Sequence, residues 1–153
     1  MVILDTDVLL LAHSFSRDTR QPVNSAFLDK VRTAAPATTI YNVMELLGQL
    51  SFNVSPDRLS EWKSWLVDAY DLAIVWPFNP DDMISTFSYR QEIYDQPLAR
   101  MQASRIAFMD GLILGLAERT PGVDRLVTWN ARHFYGKTWL EILTPEMYLE
   151  QVR

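Results

Sequence analysis

Cysteine is absent from this sequence of 153 residues. The absence excludes disulfide bonds, thiolate zinc sites and a cysteine nucleophile, and it is compatible with a cytoplasmic protein. Long apolar runs are missing as well, so no transmembrane helix is expected. Asp5 and Asp7 interrupt the apolar stretch that a signal peptide would need. We therefore expect a cytoplasmic protein that does not act in a membrane.

Positive charge is scarce. The chain has 14 lysines and arginines against 19 aspartates and glutamates, which gives a net charge of −5. A protein with this balance should not hold nucleic acid through its overall charge. An activity on phosphodiesters would need a local source of positive charge, and a bound divalent cation would supply it.

The composition predicts one ordinary globular domain. Hydrophobic residues make up 48% of the chain and charged residues 22%, which is enough apolar material for a normal core. No internal repeat, low-complexity tract or linker divides the sequence. We therefore expect residues 1–153 to form a single domain.

The most informative segment is VILDTDVLLLA, residues 2–12. Its first three residues predict a buried strand, and its last apolar run predicts a helix directly afterwards. Asp5 thus follows a strand, where open parallel sheets bind their ligands. Asp5 and Thr6 could instead cap the helix, and a capping residue can also bind a cation.

The rest of the chain alternates predicted helices and strands. Strands are predicted at Leu72–Trp76, Leu126–Thr128 and Leu140–Leu143. Helices are predicted at Val23–Arg32, Ile40–Phe52, Asp57–Ala69, Pro80–Tyr94, Arg105–Arg119 and Pro145–Val152, with a break at 34–38 and a loop at 94–103. This alternation predicts an α/β protein whose parallel sheet is covered on both faces.

Three more polar residues could lie near Asp5 in such a sheet. Glu45 is in the middle of a helix, where it either points into a site or lies on a solvated edge. Asp110 is the lone acid of an apolar helix, and a buried carboxylate needs a partner, a cation or a route to solvent. Asn130 follows a strand, or is simply a turn residue. Oxygen ligands of this kind suit Mg²⁺ or Mn²⁺.

Four segments together resemble the PIN-domain family, and within it the VapC-type toxin ribonucleases. They are ILDTDVLL, NVMELLGQL, FMDGLILGLAE and LVTWNARHF, and they occur in the family's order between residues 3 and 134. The resemblance implies a three-layer α/β/α fold with a central parallel sheet of four to five strands. It also implies an endoribonuclease that depends on Mg²⁺ or Mn²⁺ and hydrolyses RNA with a metal-activated water.

The resemblance assigns roles to individual residues. Asp5 and Asp110 would be the principal metal ligands. Glu45 would complete the acidic pocket and help bind or activate the attacking water. Thr6 and Thr128 would be supporting hydroxyl groups.

One position departs from the family, because Asn130 stands where many members have a fourth acid. An asparagine can ligate through its carbonyl oxygen but brings no charge, so a second metal site would be weak or absent. Asp7 could compensate, since it is close to Asp5 in sequence. The family also implies a small antitoxin that occupies the acidic pocket, and a homodimer. Trp62 and Trp65 are a candidate surface for either partner, or part of the core.

Two other functions remain open. Asp5 and Asp7 also fit the opening motif of haloacid-dehalogenase-type phosphatases, as nucleophile and general acid. That family needs a later lysine and acidic pair at strand ends, which we do not find, and the assignment leaves Glu45 and Asp110 without a role. The other alternative is a PIN-like binding protein without activity, which Asn130 supports.

Positively charged residues offer only weak signals. Arg105, Arg132 and Lys137 could contact RNA phosphates, or they could lie on a solvated surface. His13 and His133 are poor candidates for a general base, and His133 is expected to be structural.

Overall fold

A five-stranded parallel sheet forms the centre of the protein. The structure is a computed structural model that describes residues 1–15 and 17–152, without the side chain of Lys63. The strands are β1 (Val2–Leu4), β2 (Pro36–Thr39), β3 (Ala73–Val75), β4 (Arg125–Val127) and β5 (Glu141–Leu143). Their order is β3-β2-β1-β4-β5, and every pairing is parallel. The predicted α/β class and sheet are confirmed.

Helices cover both faces of this sheet. They are α1 (Thr6–Ser14), α2 (Gln21–Val31), α3 (Ile40–Leu50), α4 (Pro56–Tyr70), α5 (Thr86–Arg90), α6 (Gln96–Ser104), α7 (Phe108–Arg119) and α8 (Pro145–Gln151). A π-helical turn, Gln91–Asp95, joins α5 to α6, and short 3₁₀ turns lie at Arg32–Ala34 and Ala131–His133. Among the described residues, no helix has the length and apolar character needed to cross a membrane.

Alternate residues of β1 enter two separate cores, which makes the fold three-layered. Val2 and Leu4 pack with side chains of α1, α2 and α8. Ile3 points to the other face and packs with Leu114 and Ala117 of α7. Because side chains alternate along a strand, both faces of this central strand are buried.

One predicted break is a strand. The prediction for residues 34–38 was wrong, because Pro36–Thr39 forms β2 between β1 and β3. Proline is tolerated as the first residue of a strand, where its missing N–H interrupts the ladder least. The helix that follows begins at Ile40 as predicted and ends at Leu50.

The region from 80 to 107 also differs from the prediction. Helix α5 begins at Thr86 rather than Pro80, because Asp82 closes a turn by accepting a hydrogen bond from the Asn79 N–H at 3.0 Å. The predicted loop at 94–103 is largely helix α6. Its proline, Pro97, comes just after the π-helical turn, where the Gln96 N–H bonds to the Gln91 carbonyl, so the helix accommodates the proline through this local change of winding.

A left-handed residue separates the next two helices. We predicted one helix over Arg105–Arg119, but Arg105 has φ 49° and ends α6. Helix α7 therefore begins only at Phe108. The later start of the helix places Asp110 in the first turn of α7, near the carboxyl ends of the strands.

Trp62 and Trp65 belong partly to the core and partly to the surface. Trp62 packs against the core beneath α1, whereas Trp65 keeps 42% of its surface exposed. The His13 ring lies 4.9 Å and 4.4 Å from their ring centroids, edge to face. Its Nε2 is 3.1 Å from the Tyr70 hydroxyl. Burial lowers the pKa of His13 to about 4.

This pKa shift predicts a pH dependence of stability. The unfolded chain protonates His13 near its ordinary pKa, whereas the folded chain resists protonation, so stability should fall as the pH drops from about 6.5 to about 4. The loss is at most about 1.4 kcal/mol per pH unit, and smaller because solvent reaches part of the ring. The difference in unfolding free energy between the parent and His13→Phe should follow this course. A difference that is constant with pH would contradict it.

Candidate active site

Asp5 lies at the carboxyl end of the central strand. Its backbone N–H donates to the Val127 carbonyl at 3.0 Å, which joins the ends of β1 and β4. The chain runs outward from β1 through β2 to β3 and then returns to the other side of β1 as β4. The ends of β1 and β4 therefore flank a topological switch point, where open α/β sheets form ligand-binding crevices.

The Asp5 side chain also caps the first helix. Its Oδ1 accepts a hydrogen bond from the Thr6 N–H at 2.8 Å, and only 7% of Asp5 is exposed. The capping alternative raised by the sequence is thus confirmed. Capping by one oxygen leaves the carboxylate at the crevice, so it does not exclude a role in binding a cation.

Glu45 points into the site rather than away from it. The Thr6 hydroxyl donates a hydrogen bond of 2.6 Å to Glu45 Oε2. This contact connects α1 to α3, and it rules out a purely solvated helix edge for this half-buried glutamate. Thr6 is buried and supports Glu45, in keeping with the supporting hydroxyl that we predicted.

Asn42 is the main residue of this site that the sequence analysis missed. Its side chain is fully buried, and its Nδ2 donates to Asp5 Oδ1 at 2.9 Å and to Thr6 Oγ1 at 3.2 Å. Its Oδ1 accepts from the Thr39 hydroxyl at 2.7 Å and from the Thr39 N–H at 3.2 Å. One amide therefore orients both the carboxylate and the hydroxyl that reaches Glu45.

A sequence signal for Asn42 was present. Thr39 and Asn42 have the spacing of a capping box, and the structure shows both reciprocal hydrogen bonds. Asn42 is also three residues before Glu45, so the two share a helix face. These spacings together would have directed Asn42 towards the acidic site.

Asp7 fastens the first helix to the loop after β4. Its Oδ2 accepts from the Thr128 hydroxyl at 3.0 Å, and its Oδ1 accepts from the Trp129 N–H at 3.1 Å. Thr128 is fully buried. Both oxygens of Asp7 thus serve this loop, and its predicted compensation for the missing fourth acid stays a prediction.

Asn130 lies in the exposed turn after β4. Its backbone N–H donates to Thr128 Oγ1 at 3.0 Å. Within residues 1–15 and 17–152, its side chain makes no hydrogen bond to an acidic residue. The structure brings the Asn130 backbone close to the site, and its predicted catalytic role stays a prediction.

Asp110 faces the same site from α7. It is half-buried, and burial raises its pKa, with a further increase from the negative charge of Glu45. The charges of His133 and Lys137 oppose this increase. His133, which we expected to be merely structural, therefore contributes to the electrostatics of the site.

The site concentrates the negative charge of several acidic side chains. Burial raises the pKa of Asp5 to about 7, and the charges of Asp7 and Asp110 add to the effect. Burial likewise raises the pKa of Asp7. In the described part of the chain, no salt bridge involves Asp5, Asp7, Glu45 or Asp110.

The donor set fits a hard divalent cation in chemistry and charge. Asp5 and Asp110 would hold it, since both offer carboxylate oxygens. Burial and neighbouring negative charge raise the pKa of both, so a cation would relieve the repulsion. No group of three or more His, Asp or Glu side chains among the described residues is close enough to enclose a metal ion. Two protein carboxylates are nevertheless sufficient for Mg²⁺, which commonly keeps several of its waters.

The chain has the fold of several solved structures, one of which is a toxin–antitoxin complex. It is similar to a chain of a toxin–antitoxin complex from Klebsiella pneumoniae, with 20% identity, 95% of this chain and 98% of that chain covered, and a TM-score of 0.56. It is also similar to a chain of FitAcB from Neisseria gonorrhoeae, with 16% identity, coverage of 95% and 99%, and a TM-score of 0.63. A chain of FitAB bound to an IR36 DNA fragment gives 16% identity, 95% coverage of both chains and a TM-score of 0.61.

These similarities extend over nearly the whole length and support the three-layer α/β/α fold expected from the sequence. The sequence matches no protein-family model and no curated protein.

The raised pKa of Asp5 predicts that its charge destabilises the metal-free fold. The folded state holds the Asp5 proton up to about pH 7, whereas the unfolded chain loses it near pH 4, so stability should fall as the pH rises between these values. Asp5→Asn keeps an oxygen acceptor for Thr6 and Asn42 but has no charge. In EDTA, its advantage over the parent should grow by about 1.4 kcal/mol per pH unit in this window.

Chemical denaturation at several pH values measures this advantage. Asp29→Asn, which replaces an exposed carboxylate on α2, is the matched control and should show no such trend. An Asp5→Asn advantage that is the same at pH 4 and pH 8 would contradict the assigned origin of the shift.

The hydrogen bonds of Asn42 predict two separable effects of its removal. Asn42→Ala should lose about 1–3 kcal/mol of stability, because buried partners are left unsatisfied. It should also weaken stabilisation by Mn²⁺, because Asp5 is no longer oriented. Asn24 is the matched control, since it is equally buried and bonds to the Val8 carbonyl and the Trp129 indole instead.

Melting curves with and without Mn²⁺ distinguish the two effects. Asn24→Ala should lose stability but keep the full response to Mn²⁺. Equal responses in the two variants would show that Asn42 contributes only to folding.

Proposed function

We propose that this chain is a Mg²⁺- or Mn²⁺-dependent endoribonuclease and the toxin of a toxin–antitoxin pair. The observation that carries the proposal is the group of Asp5, Glu45 and Asp110 at the topological switch point, where no salt bridge within the described ranges neutralises them. The resemblance of the sequence to VapC-type ribonucleases and the toxin–antitoxin complex among the similar folds also support it.

Each residue of the site would have a distinct role. Asp5, directly after β1, and Asp110, in the first turn of α7, would hold the cation. Glu45, whose Oε2 is occupied by the Thr6 hydroxyl, would accept a proton from the attacking water with its other oxygen. Asn42 would keep Asp5 oriented throughout the reaction.

A bound Mg²⁺ or Mn²⁺ would acidify the attacking water and stabilise the negative charge that develops on the phosphate. This requirement also reconciles an RNA substrate with the net charge of −5. His133 and Lys137 lie near enough to Asp110 to oppose the increase of its pKa.

The partners follow from the same proposal. A small antitoxin would neutralise the protein by occupying the acidic pocket, and the chain would act in the cytoplasm, with a homodimer as its assembly. The partly exposed Trp62 and Trp65 remain the candidate surface for one of these contacts.

The structure argues against one of the two alternative functions and leaves the other as a second candidate. In the phosphatase, Asp7 would have to act as a general acid, yet both of its oxygens accept hydrogen bonds from the loop after β4. The inactive PIN-like binding protein is the second candidate, because Asn130 lacks the fourth charge and three carboxylates do not converge on one point within the described residues.

Metal binding is the first test of the proposal. Mn²⁺ at about a hundred times its dissociation constant should stabilise the parent by roughly 2.7 kcal/mol and should stabilise neither Asp5→Asn nor Asp110→Asn. Asp29→Asn should respond as the parent does. Cleavage of single-stranded RNA by the parent should require Mn²⁺ and stop in EDTA.

Two outcomes would contradict the proposal. If all proteins respond alike to Mn²⁺, the acidic site does not bind the ion. If the parent binds Mn²⁺ through Asp5 and Asp110 but cleaves no RNA, the inactive binding protein is the better assignment.

A further inference from the structure

We propose that a cleft beside the acidic site binds one nucleotide of a single-stranded RNA, with its base stacked on Tyr135 and its phosphate near Arg132. The inference rests on the proposed ribonuclease function, since it names the part of the substrate that this neighbouring site would hold. Neither residue belongs to the acidic site itself.

The cleft lies at the carboxyl ends of the last two strands. It has a volume of about 410 Å³ and is lined by Trp129, Asn130, Ala131, Arg132, Tyr135 and Thr144. Thr144 directly follows β5, and Trp129 comes two residues after β4. The volume is in the range of small-molecule sites and suits a single nucleotide.

Hydrogen bonds join the lining of the cleft to the acidic site. The Trp129 N–H donates to Asp7 Oδ1 at 3.1 Å, and the Asn130 N–H donates to Thr128 Oγ1 at 3.0 Å. Thr128 in turn donates to Asp7 Oδ2. An RNA strand whose phosphate lies at the acidic site would therefore place a neighbouring nucleotide over this cleft.

Tyr135 offers the cleft an aromatic surface. About half of its residue surface is exposed, at 49%, and its hydroxyl donates to Met147 Sδ at 3.7 Å. This contact with α8 restrains the ring without covering it. Trp129 forms a more rigid wall, because its indole N–H donates to Asn24 at 2.8 Å.

Arg132 supplies positive charge that is not already used. It is exposed, and within the described ranges it makes no salt bridge or side-chain hydrogen bond. Arg20 lies 5.4 Å from the Trp129 ring centre, but it pairs with Asp18 and does not line the cleft, so the positive charge of the lining comes from Arg132. In an acidic protein, a cleft lined by Arg132, Tyr135 and Trp129 can bind a phosphate through the guanidinium group and a planar base through the aromatic rings.

A single strand is the form of RNA that this cleft can accept. Bases in an RNA duplex are stacked and inaccessible, whereas those of single strands and loops stack readily on aromatic side chains. Such stacking tolerates every base, so the cleft would position the substrate without selecting a particular sequence.

Binding of a short labelled single-stranded RNA, followed by fluorescence anisotropy in EDTA, tests the aromatic contact without cleavage. Tyr135→Ala should raise the dissociation constant roughly 5- to 150-fold, the range of base–aromatic stacking. Tyr135→Phe keeps the ring and should bind like the parent. Trp139→Ala is the matched control, because Trp139 is 63% exposed on the same connection but does not line the cleft.

The salt dependence of binding tests Arg132. Loss of one phosphate contact from a single strand should reduce the slope of log K against log salt concentration by about 0.7. Arg132→Gln should show this change. Arg58→Gln, on α4 and outside the lining of the cleft, should leave the slope unaltered.

The outcomes separate this inference from the proposed function. If Tyr135→Ala binds RNA as tightly as Trp139→Ala does, or if the parent binds no RNA, the inference is wrong. It would also be wrong if a protein partner occupied the cleft. Binding that depends on Tyr135 and Arg132, without Mn²⁺-dependent cleavage, supports the cleft and rejects the ribonuclease. Cleavage with an unchanged KM in Tyr135→Ala supports the ribonuclease and rejects the cleft.

Discussion

The hydrogen bond from the Asn42 amide to Asp5 holds a negative charge where the protein interior opposes it. Asp5 is almost completely buried beside two other acids, and its pKa is raised accordingly. The donors Thr6 N–H and Asn42 Nδ2 both bind the same oxygen, Oδ1. The fold thereby fixes the direction of a carboxylate whose charge it does not neutralise, which is the condition for attracting a cation.

This constraint explains why so many neighbouring contacts are polar. Thr39, Asn42 and Thr6 form a continuous series of buried hydrogen bonds that begins at the end of β2 and ends at Glu45. On the opposite side, Asp7 performs the equivalent task for the loop after β4. No buried side-chain polar atom among the described residues lacks a hydrogen-bond partner, so the strain of the site is electrostatic rather than a matter of unsatisfied groups.

The sequence predicted those parts of the fold that depend on local patterns. The strand at residues 2–4, the helix from Ile40 and the site at a strand end all follow from apolar periodicity and capping preferences. The strand Pro36–Thr39 was missed because its four residues carry break and cap signals, and only its pairing with β1 and β3 makes it a strand. Tertiary pairing overrides local propensity there.

The site was predictable to a similar extent. Asp5, Glu45 and Asp110 stand out because each is an acid in an apolar segment, and the structure places them around one crevice. The capping-box spacing of Thr39 and Asn42 marks Asn42 locally, but its hydrogen bond to Asp5 joins residues that are 37 positions apart, and the fold alone brings them together. Arg105 illustrates the same limit for the backbone, since its left-handed conformation divides a segment that looks helical throughout.

The pairing of β1 with β4 determines when the site can form during folding. Val2 lies opposite Arg125, and Asp7 bonds to Thr128 and Trp129, so partners separated by most of the chain must meet before the crevice forms. Contacts between such distant segments form late in folding, after the intervening chain has become available. A ribosome-bound chain therefore carries Asp5 for most of its synthesis without the strand that positions it, and the finished crevice is a property of the completed molecule.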